Sequence, residues 1–159
     1  MAEKGLKDFM STFSRKVDGP KLTKAKKMLQ ADRFQLFVDV SDQALTGVVK
    51  SQTDASLVYA CKVTADGDFA CCTQNLNQCG GLRGKLCKHI LVVMVGLVQS
   101  GALPAEQALR WAEASRGKAP NIARDRDDMA ETFLRYKGAE AGEIDWRPTE
   151  TLPEDYYAL

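Results

Sequence analysis

Four of the five cysteines and the only histidine of this 159-residue chain lie within one short stretch. They are Cys71, Cys72, Cys79, Cys87 and His89. Thiolates and imidazole are the usual ligands of a structural zinc ion, which most often takes four of them in a tetrahedron. Because Cys79 lies in a polar, glycine-rich stretch that offers no apolar core to a thiol, we predict a Zn²⁺ site formed by Cys72, Cys79, Cys87 and His89, with Cys71 as the alternative to Cys72.

The two-residue spacing of Cys87 and His89 restricts where a helix can begin. Inside one helix these side chains would point about 200° apart, because an α-helix has roughly 3.6 residues per turn. They can face one ion only if Cys87 is the last residue before a helix and His89 lies in its first turn. A site of three thiolates, one neutral imidazole and Zn²⁺ has a net charge of about −1, which the positive end of that helix favours.

Only one of the adjacent residues Cys71 and Cys72 is expected to be a ligand, because neighbouring residues of a strand point to opposite faces. Cys72 is nearer to the end of its predicted strand and to the loop that contains Cys79, so we prefer it as the ligand. Cys71 would then face the core beside Phe69. Cys61, in the middle of another predicted strand, is interpreted as a small core residue.

Hydrophobic periodicity predicts the elements around this cluster. Two short basic helices are expected at residues 6–17 and 23–31, followed by strands at 34–40, 45–51, 57–63 and 69–73. The Asp66 and Gly67 pair is a hairpin signal between the last two strands. A nearly wholly apolar, and therefore buried, helix is expected at 88–99. Two further helices follow, one to residue 115 with Pro104 in its first turn and one at 121–137.

These elements predict an α+β fold. Its core is a small antiparallel sheet of three or four strands with a zinc site and a buried helix, and amphipathic helices flank this core. We divide the chain into four segments: basic N-terminal helices (1–33), the zinc-binding core (34–101), C-terminal helices that pack on the core (102–139) and an acidic, aromatic tail (140–159).

Composition restricts the class of protein. The chain is 45% hydrophobic and 27% charged, which excludes a collagen-like or wholly disordered chain. Its longest apolar run, residues 90–98, is far shorter than the roughly 20 residues that span a bilayer, so we expect no membrane association. The N-terminus lacks the apolar region of a secretory leader, and an odd number of cysteines favours reduced thiols. We therefore expect a cytoplasmic location.

The order of these motifs resembles the SWIM-type zinc-binding domain, which is found in chromatin-remodelling ATPases, transposases and small stand-alone bacterial proteins. Its pattern is Cys-x-Cys, a variable gap and Cys-x-His at the start of an apolar helix, and the resemblance covers about residues 43–98. It implies a ββα core in which Cys87 and His89 are the last two ligands and Cys71 or Cys72 is one of the first two. This chain departs from the pattern in its adjacent cysteines, and Cys79 would be a substitute ligand within the gap.

The resemblance implies a binding module with no chemistry of its own, and the residues agree. A catalytic zinc needs an open position and a nearby base, and a cysteine nucleophile needs a histidine partner. The only histidine is already a predicted zinc ligand. We therefore expect a non-enzymatic adaptor for protein partners, without a small-molecule substrate.

Two surfaces could bind the partner. Aromatic residues of the tail, namely Trp146, Tyr156 and Tyr157, are of the kind that anchor protein interfaces, although they could equally fold back over their own domain. The alternative is a DNA- or RNA-binding face made of Lys24, Lys26, Lys27, Arg83, Lys85 and Lys88. Residues 1–50 contain ten basic and six acidic side chains, but residues 101–159 contain eight and twelve. Because that acidic third weakens a positive field, we prefer the adaptor.

Overall fold

An antiparallel sheet of four strands lies between the helices of the fold. The computed structural model describes residues 2–31, 35–51, 57–80 and 86–140. The strands are β1 (Gln35–Val40), β2 (Ala44–Lys50), β3 (Val58–Thr64) and β4 (Phe69–Thr73), and the helices are α1 (Ala2–Phe13), α2 (Gly19–Ala31), α3 (Lys88–Gln99), α4 (Ala105–Ser115) and α5 (Ile122–Glu140). The strands are neighbours in chain order and every pair is antiparallel. The predicted α+β fold with a meander is confirmed.

Gly67 forms the turn between β3 and β4. The backbone N–H of Thr64 donates to the carbonyl of Asp68 (2.8 Å), and the N–H of Gly67 donates to the carbonyl of Thr64 (2.9 Å). Gly67 has a φ of 90°, and a Cβ at this position would lie 2.3 Å from backbone atoms of Ala114 in α4. The predicted hairpin is therefore present, and its tip packs directly on the C-terminal part of α4.

Helix α3 covers one face of the sheet. Eight of its twelve residues are buried, as its apolar sequence predicts. The helix approaches the sheet closely at Gly47 of β2, where an added Cβ would lie 2.9 Å from Cγ2 of Val93. The core on this face also includes Phe13 of α1, Met28 of α2 and Trp111 of α4.

Helix α5 covers the opposite face. Met129 and Phe133 of α5 form a second apolar cluster with residues of all four strands, namely Phe37, Val48, Ala60, Ala70 and Cys72. Lys62 of β3 reaches across to the same helix, where its ammonium donates to Asp125 (3.3 Å) and to Asp128. The sheet therefore has a core on each side, and both faces of β4 are buried.

The helix boundaries differ from the predicted ones at the N-terminus. Helix α1 ends at Phe13 because residues 14–16 form turns, in which the N–H of Arg15 donates to the carbonyl of Thr12 (3.1 Å). Helix α2 begins at Gly19, earlier than predicted, because the side chain of Asp18 accepts from the N–H of Lys21 (3.0 Å) in its first turn. A helix commonly begins after a residue whose side chain accepts a hydrogen bond from a backbone N–H group of the first turn.

Some predictions fall outside the described residues. The tail aromatics Trp146, Tyr156 and Tyr157 belong to the part of the chain beyond residue 140 that the structure does not describe. The division into four segments stays a prediction. Among the helices that the structure describes, none combines the length and the apolar character that crossing a bilayer requires.

Candidate metal centre

The chain reverses direction directly after β4 through a three-residue loop. The N–H of Leu76 donates to the carbonyl of Thr73 (2.8 Å), and the N–H of Thr73 donates to the carbonyl of Asn77 (2.9 Å). Leu76 has a φ of 62°, which suits the last position of such a loop but is uncommon for a residue other than glycine. Its side chain packs against the apolar cluster below α5.

This reversal brings Cys71 and Cys79 face to face. Cys72 forms an antiparallel bridge with Gln78, and the N–H of Cys79 donates to the carbonyl of Cys71 (2.9 Å). Residues opposite each other in antiparallel strands have their side chains on the same face. The thiols of Cys71 and Cys79 therefore lie side by side on the face that α3 covers.

Cys87 and His89 approach from the beginning of α3. Cys87 is the N-cap residue, with extended backbone angles (φ −81°, ψ 169°) and no capping hydrogen bond from its side chain. Its carbonyl accepts from the N–H of Leu91 (3.1 Å), so the helix starts at the next residue. His89 is then in the first turn, as the two-residue spacing predicts, and both side chains are buried.

The four side chains converge on one point. The Nδ1 atom of His89 lies 3.9 Å from the Sγ of Cys71, 3.5 Å from that of Cys79 and 3.9 Å from that of Cys87. All four donor atoms lie within 4.8 Å of one another. A tetrahedron with metal–sulfur bonds of about 2.3 Å and metal–nitrogen bonds of about 2.0 Å separates sulfur from nitrogen by about 3.5 Å and sulfur from sulfur by about 3.8 Å. The nitrogen–sulfur distances are close to these values, so the cluster could hold a metal ion.

Cys71, and not the preferred Cys72, belongs to this cluster. Cys72 is the next residue along β4, so its side chain points to the opposite face. There it packs with Ala60 and Met129 below α5. The register of the hairpin after β4 therefore brings the alternative residue, Cys71, to the cluster and leaves the preferred Cys72 outside it.

Burial controls the protonation of these thiols. Desolvation by burial, together with the neighbouring cysteines, raises the pKa of Cys71 well above its ordinary value. Burial likewise raises the pKa of Cys87 well above its ordinary value. A metal ion must therefore displace protons from these groups when it binds, and it would supply the positive charge that stabilises the thiolates.

Tyr59 and Cys61 lie next to the site, although the sequence analysis did not place them there. The ring of Tyr59 stacks on the imidazole of His89, with ring centroids 3.9 Å apart and an interplanar angle of 15°. The thiol of Cys61 lies 3.8 Å from that of Cys71, its direct partner in the pairing of β3 with β4. Both are on β3, two residues apart and on the same face. Only the packing of β3 below the start of α3 identifies them.

A pocket of about 280 Å³ opens beside the centre. Cys79, Cys87 and His89 form part of its lining, and Lys21, Lys24 and Lys88 surround them. These ammonium groups place positive charge next to the thiol cluster. The six predicted nucleic-acid contacts are not all found at this pocket. Lys24 and Lys88 line it, whereas Lys26 and Lys27 are exposed elsewhere on α2. Arg83 and Lys85 lie outside the described residues.

Comparisons with protein-family models, with curated proteins and with solved structures gave no match to this chain. The resemblance to the SWIM-type domain therefore rests on the pattern of cysteines and histidine. The geometry adds a buried cluster of three thiols and one imidazole that could hold a metal ion.

Proposed function

We propose that this chain is a SWIM-type zinc-binding module without enzymatic activity, in which a structural zinc ion stabilises an adaptor for protein partners. The observation that carries the proposal is the convergence of Cys71, Cys79, Cys87 and His89, whose donor atoms lie within 4.8 Å of one another. These residues come from two separate segments of the chain. Cys71 and Cys79 belong to the hairpin that follows β4, and Cys87 and His89 lie at the start of α3. A single ion would join them.

Zinc is the metal that suits this donor set best. Three thiolates and one imidazole are a common ligand set of structural zinc, whereas Mg²⁺ and Ca²⁺ prefer oxygen. The loaded site would have a net charge of about −1. The N-terminus of α3 and the three lysines of the adjacent pocket oppose that charge, so the surroundings favour the anionic complex.

The same donor set favours a structural role over catalysis. Catalytic zinc keeps a position for water or substrate, whereas four protein ligands fill the tetrahedron. His89 is the only histidine of the chain, and as a ligand it is not available as a general base. A zinc ion bound at this site would then stabilise the fold and would not take part in catalysis.

Metal analysis of the purified chain tests the zinc site. Protein prepared with reducing agent and without added metal is expected to contain about one zinc ion per chain, as a closed four-ligand site requires. The Cys87→Ser variant is expected to contain much less, and Cys61→Ala, which removes a thiol outside the ligand set, is expected to keep it. Folded wild-type protein without any transition metal would refute the proposal.

The adaptor role rests on the aromatic residues Trp146, Tyr156 and Tyr157 among the acidic residues of the tail. Large aromatic side chains are the commonest anchors of protein interfaces. We expect a chain truncated after residue 140 to keep its zinc but to lose partners in an affinity purification with mass spectrometry. Identical partners with and without the tail would remove the tail from the proposal.

Nucleic-acid binding is the second candidate, and one observation favours it. Lys24 of α2 and Lys88 of α3, which are far apart in sequence, line the same pocket. A phosphate could bind between them. Binding of RNA or DNA should then fall steeply with salt, and Lys24→Gln with Lys88→Gln should reduce the salt slope by up to about two. The matched control, Lys26→Gln with Lys27→Gln, also removes two positive charges, both from α2 and outside the pocket. An equal effect of the two pairs of substitutions would refute a pocket-specific contact.

A further inference from the structure

Three cysteines form a row across the sheet on the face that α3 covers. Cys61 of β3 is paired with Cys71 of β4, and Cys71 is opposite Cys79 on the other side. All three thiols are buried. The proposed zinc site uses Cys71 and Cys79, so Cys61 is a fourth buried thiol that lies next to the three ligand thiols without being a ligand itself.

Cys61 and Cys71 form the type of cross-strand pair in which the two Cα atoms are closer together. Thr64 and Asp68 form the hydrogen-bonded pair next to the turn, since the N–H of Thr64 donates to the carbonyl of Asp68 (2.8 Å). Hydrogen-bonded and non-hydrogen-bonded pairs alternate along an antiparallel ladder, which makes Cys61 and Cys71 a non-hydrogen-bonded pair. The Cα atoms of such pairs are about 4.5 Å apart, which lies within the range that a disulfide spans.

The side chains are already close to the arrangement that a disulfide needs. Their sulfur atoms are 3.8 Å apart, so rotation about the side-chain bonds, rather than movement of a strand, has to close the gap. Cys71 and Cys79 are instead a hydrogen-bonded pair, because the N–H of Cys79 donates to the carbonyl of Cys71, and their Cα atoms are expected to be farther apart, at about 5.5 Å.

We propose that Cys61 is the resolving thiol of a reversible oxidation site, in which a Cys61–Cys71 disulfide removes one ligand from the metal centre. The release of metal rests on the proposed zinc site, whereas the disulfide itself rests only on the pairing of β3 with β4. Oxidation would leave Cys79, Cys87 and His89 as three ligands, and a three-ligand site holds the ion less tightly than the closed site.

Hydrogen peroxide, a two-electron oxidant, balances the reaction. The thiolate sulfur of Cys71 attacks one peroxide oxygen, the O–O bond breaks, and hydroxide leaves to give a sulfenic acid. The sulfur of Cys61 then attacks the sulfenic sulfur, so that an S–S bond forms and the S–O bond breaks. The departing hydroxide takes the proton of the Cys61 thiol and leaves as water. Two sulfurs together lose two electrons, and peroxide gains them.

A small oxidant can reach the edge of the cluster through the adjacent pocket, which Cys71 itself does not line. The pocket beside the centre reaches Cys79, Cys87 and His89, and their donor atoms lie within 4.8 Å of the sulfur of Cys71. Cys61 lies deeper, with no exposed surface. This order fits a ligand thiolate that reacts first and a second thiol that resolves the product from inside.

Peptide mapping by mass spectrometry after brief exposure of the full chain to peroxide tests the proposal. We expect a Cys61–Cys71 link that dithiothreitol reverses, together with zinc release measured with a chromogenic chelator. Cys72→Ala, which removes a buried thiol on the other face of β4, should form the same link. No link, or a link from Cys71 to Cys79 instead, would overturn the proposal.

The Cys61→Ala variant supplies the second measurement. Without the resolving thiol, the sulfenic acid is exposed to further oxidation to sulfinic acid, which dithiothreitol does not reduce. After peroxide, dithiothreitol and added zinc, the wild-type protein should regain its zinc while Cys61→Ala regains severalfold less. Equal recovery would refute the role of Cys61. Reduced wild-type protein without zinc would instead refute the metal centre and the release step, and the mapped link would still decide whether the disulfide forms.

Discussion

Cys87 and His89 face the same point because one lies just outside α3 and the other lies within its first turn. Their donor atoms are 3.9 Å apart, although the two residues would point in very different directions inside a regular helix. The start of the helix is therefore part of the candidate metal centre, and an ion bound there would stabilise the first turn of α3.

Loss of either residue should release the metal and loosen the fold around α3. We expect Cys87→Ser and His89→Ala each to lower zinc affinity by more than the roughly 10–100-fold that follows the loss of an outer-shell partner. Chelator competition measures the affinity, and hydrogen exchange of the amides in β4 and α3 measures the loosening. Unchanged zinc content and unchanged exchange in both variants would contradict the ligand assignment.

The adjacent cysteines of β4 offer a matched pair of variants. Cys71→Ala removes a donor atom that lies 3.9 Å from Nδ1 of His89, so we expect loss of zinc. Cys72→Ala removes a thiol of similar burial from the opposite face, so we expect the protein to keep its zinc and lose only packing energy. Zinc loss in Cys72→Ala alone would restore the sequence-based preference.

The sequence alone could not decide between these two cysteines, because the answer depends on the loop after β4. That loop places Leu76 at a φ of 62°, a position where glycine or asparagine would be the recognisable signal. Leucine gives no such signal, so the segment reads as an irregular loop and the register that puts Cys79 opposite Cys71 is hidden. In contrast, the turn at Gly67 and the start of α3 could be predicted, since the Asp66–Gly67 pair and the Cys87–His89 spacing are local features.

The sequence also could not place Tyr59 and Cys61 at the candidate metal centre. Their positions at the site depend on which face of β3 lies below α3 and on how close the helix comes to the sheet. That approach is set by Gly47, which leaves room for Val93. A glycine within a strand indicates close packing, but it does not name the residue that fills the space.

Acid should release the metal. Because burial raises the pKa of Cys71 and of Cys87 well above the ordinary value, both thiols hold their protons in the metal-free fold at neutral pH, and zinc must displace them. Each displaced proton makes the affinity fall by up to about tenfold per pH unit as the pH decreases. Chelator competition between about pH 8 and about pH 6 measures this slope. An affinity that does not change with pH would contradict thiolate ligation.

Gly67 should be much less tolerant than another glycine of similar backbone angle. We expect Gly67→Ala to lower the free energy of unfolding by about 2–5 kcal/mol, since it combines left-handed strain with a clash. The clash is with Ala114, whose backbone would lie 2.3 Å from the new Cβ. Gly101→Ala is the control, with a φ of 82° but no atom within 4 Å, and strain alone should cost about 1–2 kcal/mol. Urea denaturation measures both, and equal losses would show that the hairpin tip does not pack on α4.

The carboxylate of Asp125 should contribute to the attachment of α5 to the sheet. Its side chain is only 3% exposed and lies 3.3 Å from Lys62 of β3 and 2.9 Å from Arg124. We expect Asp125→Asn to reduce the free energy of unfolding by about 1.5–3 kcal/mol, the usual value of hydrogen bonds to a charged group. The loss should stay below that of a fully broken buried pair, because Asp128 still accepts from Lys62.

An exposed ion pair on the same helix provides the control for Asp125. Arg135 lies 3.0 Å from Asp39 of β1, and both side chains are about half exposed, at 40% and 49%. Solvent screens such a pair, so Asp39→Asn should cost no more than about 1 kcal/mol. Urea denaturation of the two variants compares the pairs directly. If the Asp39 variant lost as much stability as the Asp125 variant, burial of the Lys62 contact would not be what holds α5 against the sheet.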